Sequence, residues 1–348
     1  MELIKSIEII DKEKKRIDYF DIAKGIGIIL MILGHMSLQD KYLKNFIYSF
    51  HMPLFFIISG YFFKERDNKQ CLKNIFKKLI IPYILTCIFI IFYKVFRLIL
   101  DGNFSEIANT IKVWGLASLY GSGSREEFGI KFIGAIWFLL ALATATYIMN
   151  LIYKQKYRYL WVFLIAYVGY KTSSYIWLPF SIQAGMVALL FLYTGILIKE
   201  YNFFNIKVPF ILYIFLVCIM IFCTIYCGEL KMVSNYYNDG LMNIIGGVSG
   251  TFLCIKFSML IDRYLRVIKK CFIFIGKNSL LCMCIHLFGL DCLKWVTIHN
   301  MLKNIGIQRQ DVRNSIINFT FVFILLIAIK IIQKMVEKIK KNKEILEN

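Results

Sequence analysis

The chain has 348 residues, 59% of them hydrophobic, and a formal net charge of +20. A soluble globular protein would be less apolar, and apolar runs of membrane-spanning length recur from end to end. The composition excludes a soluble enzyme and points to an all-α, polytopic integral membrane protein; basic loops on one face of a bilayer explain the charge better than nucleic acid does.

The opening segment, 1–19, is charged and amphipathic, and no small-residue cleavage site follows the first apolar run. It reads as a cytoplasmic segment rather than a removed signal peptide. About ten spans follow, near 20–38, 46–63, 79–100, 131–152, 157–171, 179–198, 208–227, 241–261, 272–292 and 314–336. Together they make a transmembrane bundle over 20–336, with a basic cytoplasmic tail at 337–348, and the whole of 1–348 reads as a single membrane-embedded domain. Lys and Arg gather before span one, after spans two, four and eight, and in the tail. With ten spans these clusters share one side, which places both termini in the cytoplasm. The outer segment at 101–130 is long enough to be a flexible lid over an acceptor site, or equally a simple connector. No inverted repeat is visible, which argues against many transporter folds. The ten Cys include no Cys-x-x-Cys pair and sit mostly in apolar runs, so neither a disulfide framework nor a metal site is expected.

Span one carries the chemistry. Its run from Lys24 to His35 is apolar between a cation and an imidazole, and ionisable groups inside such runs are costly enough to mark function. Eleven residues are close to three helical turns, so Lys24 and His35 share one stripe, roughly 16 Å apart. His35 falls roughly 22 Å from the cytoplasmic end and His286 roughly 21 Å, with His51 about one turn below the outer surface. Three imidazoles at one level in the outer half suit abstraction of a proton from a hydroxyl. Lys24 lies near the cytoplasmic end, within i,i+3 reach of Asp21, and a cationic vestibule there suits an anionic donor.

Each residue also has a plainer reading. Lys24 is placed to snorkel to the interface. His51 either orients His35, binds the acceptor, or is an interfacial His near a helix start. Ser59 and Gly60 suit close helix packing. Trp137 is an interfacial anchor or, more sharply, a sugar-stacking platform. His286 is a candidate for the acceptor side.

Arg16-Ile17-Asp18, Asp21-Ile22-Ala23-Lys24-Gly25-Ile26 and Gly34-His35 together resemble the first span of acyltransferase family 3, whose signature is a basic residue, ten residues, then His. The Phe50–Gly60 run, with His51, Pro53, Phe55, Phe56, Ser59 and Gly60, resembles the family's second span. Pro82, Trp137-Phe138-Leu139, and Ser279-Leu280 through His286 also fit. Members are integral membrane O-acyltransferases that modify saccharides, most often bacterial surface polysaccharides. Most carry Arg at the basic position, and Arg and Lys differ in phosphate contacts; the Lys form resembles the fucose 4-O-acetylase branch.

The resemblance implies an acyl-CoA donor, usually acetyl-CoA, bound from the cytoplasm, and a saccharide or glycolipid hydroxyl as acceptor. His35 would be the general base or the centre of acyl transfer, with Lys24 and Arg16 on the donor side. His51, Ser59, Trp137 and His286 would support the site or meet the acceptor. It also implies a multi-pass protein of the cell membrane, with the lipid bilayer as partner and neither metal nor nucleic acid. A transporter or flippase of a polysaccharide precursor or acyl group is the rival reading, although it does not require the Lys24–His35 pair beside the Phe50–Gly60 run. The other membrane O-acyltransferase superfamily uses an Asn/Asp-plus-His pattern that is not evident.

Overall fold

The computed structural model describes residues 17–36, 38–204, 206, 209–292 and 295–347, with the side chains of 291–292 and 340–347 outside that description. Arg16 and the segment before it lie outside the described residues. Helices fall in all ten segments marked by the sequence. Among the described residues, six are long and apolar enough to cross a membrane, and seven when the bent pair Arg266–Lys277 and Ser279–Leu290 counts as one span. The protein is thus an all-α membrane protein by architecture, with one small hairpin added.

Helix α1 (Asp18–Gly34) and α2 (Lys41–Tyr61) form an antiparallel pair at the centre. Asp40 starts α2 by accepting from the Leu43 amide at 2.9 Å, which satisfies one of the free donors of the first turn. Leu54 and Phe55 lie beside Gly27, and Ile47 and Tyr48 beside Gly34. This register sets His35 level with the start of α2 and Lys24 level with its end. Pro53 sits inside α2, and its ring packs at Gly247.

Around this pair come α3 (Asn68–Ile75), α4 (Ile81–Leu100), α5 (Ile107–Tyr120), α6 (Trp137–Ile152), α7 (Arg158–Thr172), α8 (Ile182–Glu200) and α9 (Phe210–Phe222). A hairpin of β1 (Leu230–Lys231) and β2 (Tyr236–Tyr237) pairs Leu230 with Tyr237. Then follow α10 (Leu241–Tyr264), α11 (Arg266–Lys277), α12 (Ser279–Cys292), α13 (Val296–Asn304) and α14 (Gln310–Glu347). The α2 helix packs on α8, α10 and α1, while α6 and α7 pack on α8. Burial separates inner from outer helices: 72% of the apolar window of α8 is buried, against 17% for α9. Phe56 on α2 and Phe191 on α8 are fully buried, and in lipid such side chains contribute through close packing of the helices rather than through removal from water. Phe92, Ile211, Phe215 and Ile324 are exposed on α4, α9 and α14, as lipid-facing residues of a membrane protein are.

Two contacts need glycine because backbone meets backbone. A Cβ at Gly276 of α11 would overlap the Asp21 carbonyl of α1, and one at Gly25 would overlap the Phe272 carbonyl. A Cβ at Gly60 would likewise overlap the Leu192 carbonyl of α8, and one at Gly195 the Ile57 carbonyl. Small residues permit this approach where helices have no hydrophobic drive to associate in lipid. The expectation that Gly60 serves packing matches its position; Ser59 instead turns its hydroxyl back to the Phe55 carbonyl at 2.7 Å.

The structure differs from the sequence reading in three places. Span one ends earlier, since α1 stops at Gly34 and His35 is its C-cap. The segment at 101–130 is not a flexible lid: α5 fills much of it, ending at Gly121 with a left-handed φ of 70°. It is tied to the region before α8, because Tyr120 donates to the Trp177 carbonyl and Arg125 to the Ser173 carbonyl. Finally, α11 and α12 meet at a bend of 70°. Asn278 stabilises the break, its side chain donating to the Phe274 carbonyl at 2.8 Å while its carbonyl accepts from the Cys282 amide at 2.9 Å.

Candidate active site

Two helical stripes face each other across a cavity of about 610 Å³. From α1 come Lys24, Ile28, Met31 and His35, and from α2 come Lys44, Tyr48, His51, Phe55 and Ser59. Spacings of three and four are what one helix face requires. The third wall is α12, with Ser279, Met283 and Leu287, and the fourth is α6, with Trp137 and Phe138. The 70° bend before α12 turns these residues toward the cavity.

Lys24 stands at one end. Its Nζ lies 2.6 Å from Asp21 Oδ1, and Asp21 is almost fully buried. A buried carboxylate needs such a partner, and it holds the ammonium near the cavity wall. Ser59, Leu79 and Ser279 surround the same end.

His35 is at the other end of α1. Its Nδ1 lies 2.7 Å from the Met31 carbonyl oxygen. A carbonyl only accepts, so Nδ1 carries the hydrogen and Nε2 is left with a free lone pair. His35 is exposed although α1, α2 and α12 surround it, because its ring faces the cavity. His51 repeats the device: its Nδ1 lies 2.8 Å from the Ile47 carbonyl, which fixes the same tautomer. The His286 ring meets the His35 ring edge-on, with centroids 5.5 Å apart. It lies behind the wall rather than in it, fully buried, and neither of its nitrogens has a hydrogen-bond partner.

Trp137 opens α6 and lines the cavity while 5% exposed. A Cβ at Gly123 would strike its ring, so the end of the 101–130 segment closes over it. That position is inside the protein, in contrast to the interfacial anchor the sequence suggested. The structure therefore brings Lys24, His35, His51, Ser59 and Trp137 to one cavity, with His286 against His35. Arg16 lies outside the described residues. A second groove, of about 450 Å³, lies between Leu33, Leu43 and Phe319. It has no imidazole, and its carboxylate, Asp311, is held by Arg309 at 2.6 Å, so it offers no free base.

An acyltransferase domain model, that of acyltransferase family 3, matches residues 17–332. The chain belongs to acyltransferase family 3. It is a multi-pass membrane acyltransferase. No curated protein and no solved structure matches the chain.

The cavity of this family member joins a cation at one end to an imidazole with a free ring nitrogen at the other. Sequence reasoning missed four of the ionisable residues of this cavity. Lys44 and Tyr48 continue the stripe through His51 and Phe55, and that spacing would have found them. Tyr48 packs edge-on to His51 at 5.1 Å. Glu229 and Lys231 reach the cavity from the hairpin; far from α2 in sequence, they carry no local signal. Among the described residues no cluster of His, Cys, Asp and Glu has the geometry of a metal site.

Proposed function

We propose that this acyltransferase moves an acyl group, acetyl in the first instance, from acyl-CoA to a hydroxyl of a cell-surface or lipid-linked saccharide, with His35 as general base. One observation carries the reading: a single cavity joins Lys24 to a histidine whose Nδ1–H is held by a carbonyl and whose Nε2 is free. The reading places ten spans in the cell membrane with both termini in the cytoplasm, so that the Lys24 end opens to cytoplasmic acyl-CoA and the His35 end faces outward. Lys24 at the basic position, where most relatives carry Arg, supports the fucose 4-O-acetylase branch.

In this mechanism the CoA phosphates meet Lys24 and Arg16, and the pantetheine arm lies along Ile28, Met31 and Phe55. An apolar passage suits that arm, and the roughly 16 Å from Lys24 to His35 matches an extended chain of its kind. His35 Nε2 takes the acceptor's hydroxyl proton as the oxygen attacks the thioester carbonyl. The C–S bond then breaks, and the imidazolium returns its proton to the departing thiolate, releasing CoA thiol. The carbonyl end of α1, with its partial negative charge, favours the imidazolium that forms between these steps. His286 packs edge-on against the His35 ring, His51 lines the same cavity, Ser59 borders the donor end, and Trp137 offers an aromatic wall to the sugar.

The test uses purified protein in nanodiscs with acetyl-CoA and a panel of fucose- and hexosamine-containing glycans. Free CoA is followed for wild type and His35→Ala. Release that needs both a glycan and His35 is expected. Full transfer by a stably folded His35→Ala protein would sink the assignment.

A further inference from the structure

Beyond His35 the cavity ends in charges that the reaction above does not use. The α2 helix contributes Lys44 and Tyr48, and the hairpin contributes Glu229 and Lys231. Leu230 is buried in the core, 1% exposed, while Glu229 and Lys231 on either side of it both reach the cavity. Glu229 Oε1 lies 2.9 Å from Lys44 Nζ, and Oε2 lies 3.5 Å from Lys231 Nζ.

The scaffold behind these groups is fixed. The buried Asn45 of α2 donates to the Thr224 carbonyl at 2.9 Å. Asn243, also buried, accepts from the Asp239 amide at 2.8 Å and donates to the Cys227 carbonyl at 3.4 Å. Both ends of the 228–240 segment are thereby held. The cavity wall here has two ammonium groups and one carboxylate, a balance of one positive charge. Lys231 makes the longer contact with Glu229, and its side chain is 45% exposed. It is the cation with freedom to leave Glu229 for another anion.

We propose that this mouth is an acceptor subsite, and that the acceptor is a saccharide carrying a fixed negative group beside the hydroxyl that is acylated. The proposal rests on the reading of His35 as the base. The anion pairs with Lys231, Lys44 stays with Glu229, and Glu229 also takes a neighbouring sugar hydroxyl. Tyr48, set between Lys44 and His51, joins this mouth to the histidines. A carboxylate of an acidic sugar and a phosphodiester in the saccharide supply the same chemistry.

The experiment separates those sources. Protein in nanodiscs receives acetyl-CoA and one of three acceptors: a uronic-acid oligosaccharide, the same oligosaccharide with its carboxyl reduced to an alcohol, or a phosphodiester-containing oligosaccharide. Free CoA release gives kcat and KM, and acceptor binding is measured separately without donor. At least one anionic acceptor is expected to exceed the reduced one by about tenfold or more in kcat/KM. Lys231→Gln should raise KM for the anionic acceptor about tenfold and erase the preference, whereas Lys231→Arg should keep it. The better anionic arm names the source. Equal kcat/KM for the anionic and reduced acceptors, or an unchanged KM in Lys231→Gln, overturns the proposal. If no acceptor releases CoA from wild type, the role of His35 is left to its own test above and binding decides the anion subsite alone. Charge-dependent binding that is lost in Lys231→Gln keeps the anion subsite; absent or charge-indifferent binding removes it.

Discussion

The two ends of the cavity are built in opposite ways. At the Lys24 end, α1 and α11 touch backbone to backbone, with Gly25 and Gly276 leaving no room for a side chain. At the Lys44 end, α2 meets the hairpin through side-chain ions, Lys44 and Lys231 on Glu229. A backbone contact has few alternative arrangements, so it holds the helix turn that carries Asp21 and Lys24 against α11. An ion pair between partly exposed side chains is weak, typically under about 1 kcal/mol, and its members exchange partners readily. Under the function proposed above, the rigid end would hold the acyl donor and the adaptable end the acceptor.

Substitutions can break this contrast, and the largest effect belongs at the rigid end. Gly276→Val pushes two methyl groups into the Asp21 carbonyl, and overpacking against backbone costs about 3 kcal/mol or more. Thermal unfolding in detergent should show a large drop or no folded protein; an unchanged melting temperature would mean that α1 and α11 separate easily. Next comes the chemistry between the two ends. His35→Gln should lower kcat by about 10²- to 10⁴-fold, the usual worth of general acid–base catalysis, with the melting temperature retained. Lys24→Ala should raise the acyl-CoA KM about tenfold, as loss of a charge-assisted phosphate contact does, and Lys24→Arg should recover it. An acyl-CoA KM indifferent to both changes would confine Lys24 to pairing with Asp21. The smallest effect belongs at the adaptable end. Lys44→Gln should shift stability by less than about 1 kcal/mol, and a loss comparable with that of Gly276→Val would erase the difference between the ends.

Much of this was legible in the sequence because it depends on local periodicity. Apolar runs marked the helices, and the eleven-residue step from Lys24 to His35 put both on the face that lines the cavity. Asp21 pairs with Lys24 at the i,i+3 spacing that was expected. What escaped depends on contacts between distant segments. The hairpin at 230–237 has strands of two residues, too short for any alternation to show, so Glu229 and Lys231 looked like ordinary loop charges. The segment at 101–130 reads as a lid or a simple connector because Gly121-Ser122-Gly123-Ser124 has the composition of a loop, and the helix at 107–120 before it gives no signal of its own. Trp137 reads as an interfacial anchor until Gly123 and Val233 are seen to close over it. Lys277-Asn278-Ser279 gives no sign of a bend, since no proline marks it.

That bend sets a rule for chain length. Each residue of an α-helix advances the face by about 100°. One residue inserted or removed in the first turn of α12, after Ser279, would rotate the rest of that helix by that angle, carrying His286 away from His35 and Met283 and Leu287 out of the cavity wall. The spacing from Ser279 to His286 is held by this geometry, as the Asn278 side chain before it is held by its bond to the Phe274 carbonyl. The exposed turn at Gly306, beyond the end of α13, follows every cavity-lining residue in the chain, so a tag or reporter inserted there would leave the helical phase of the cavity walls unchanged.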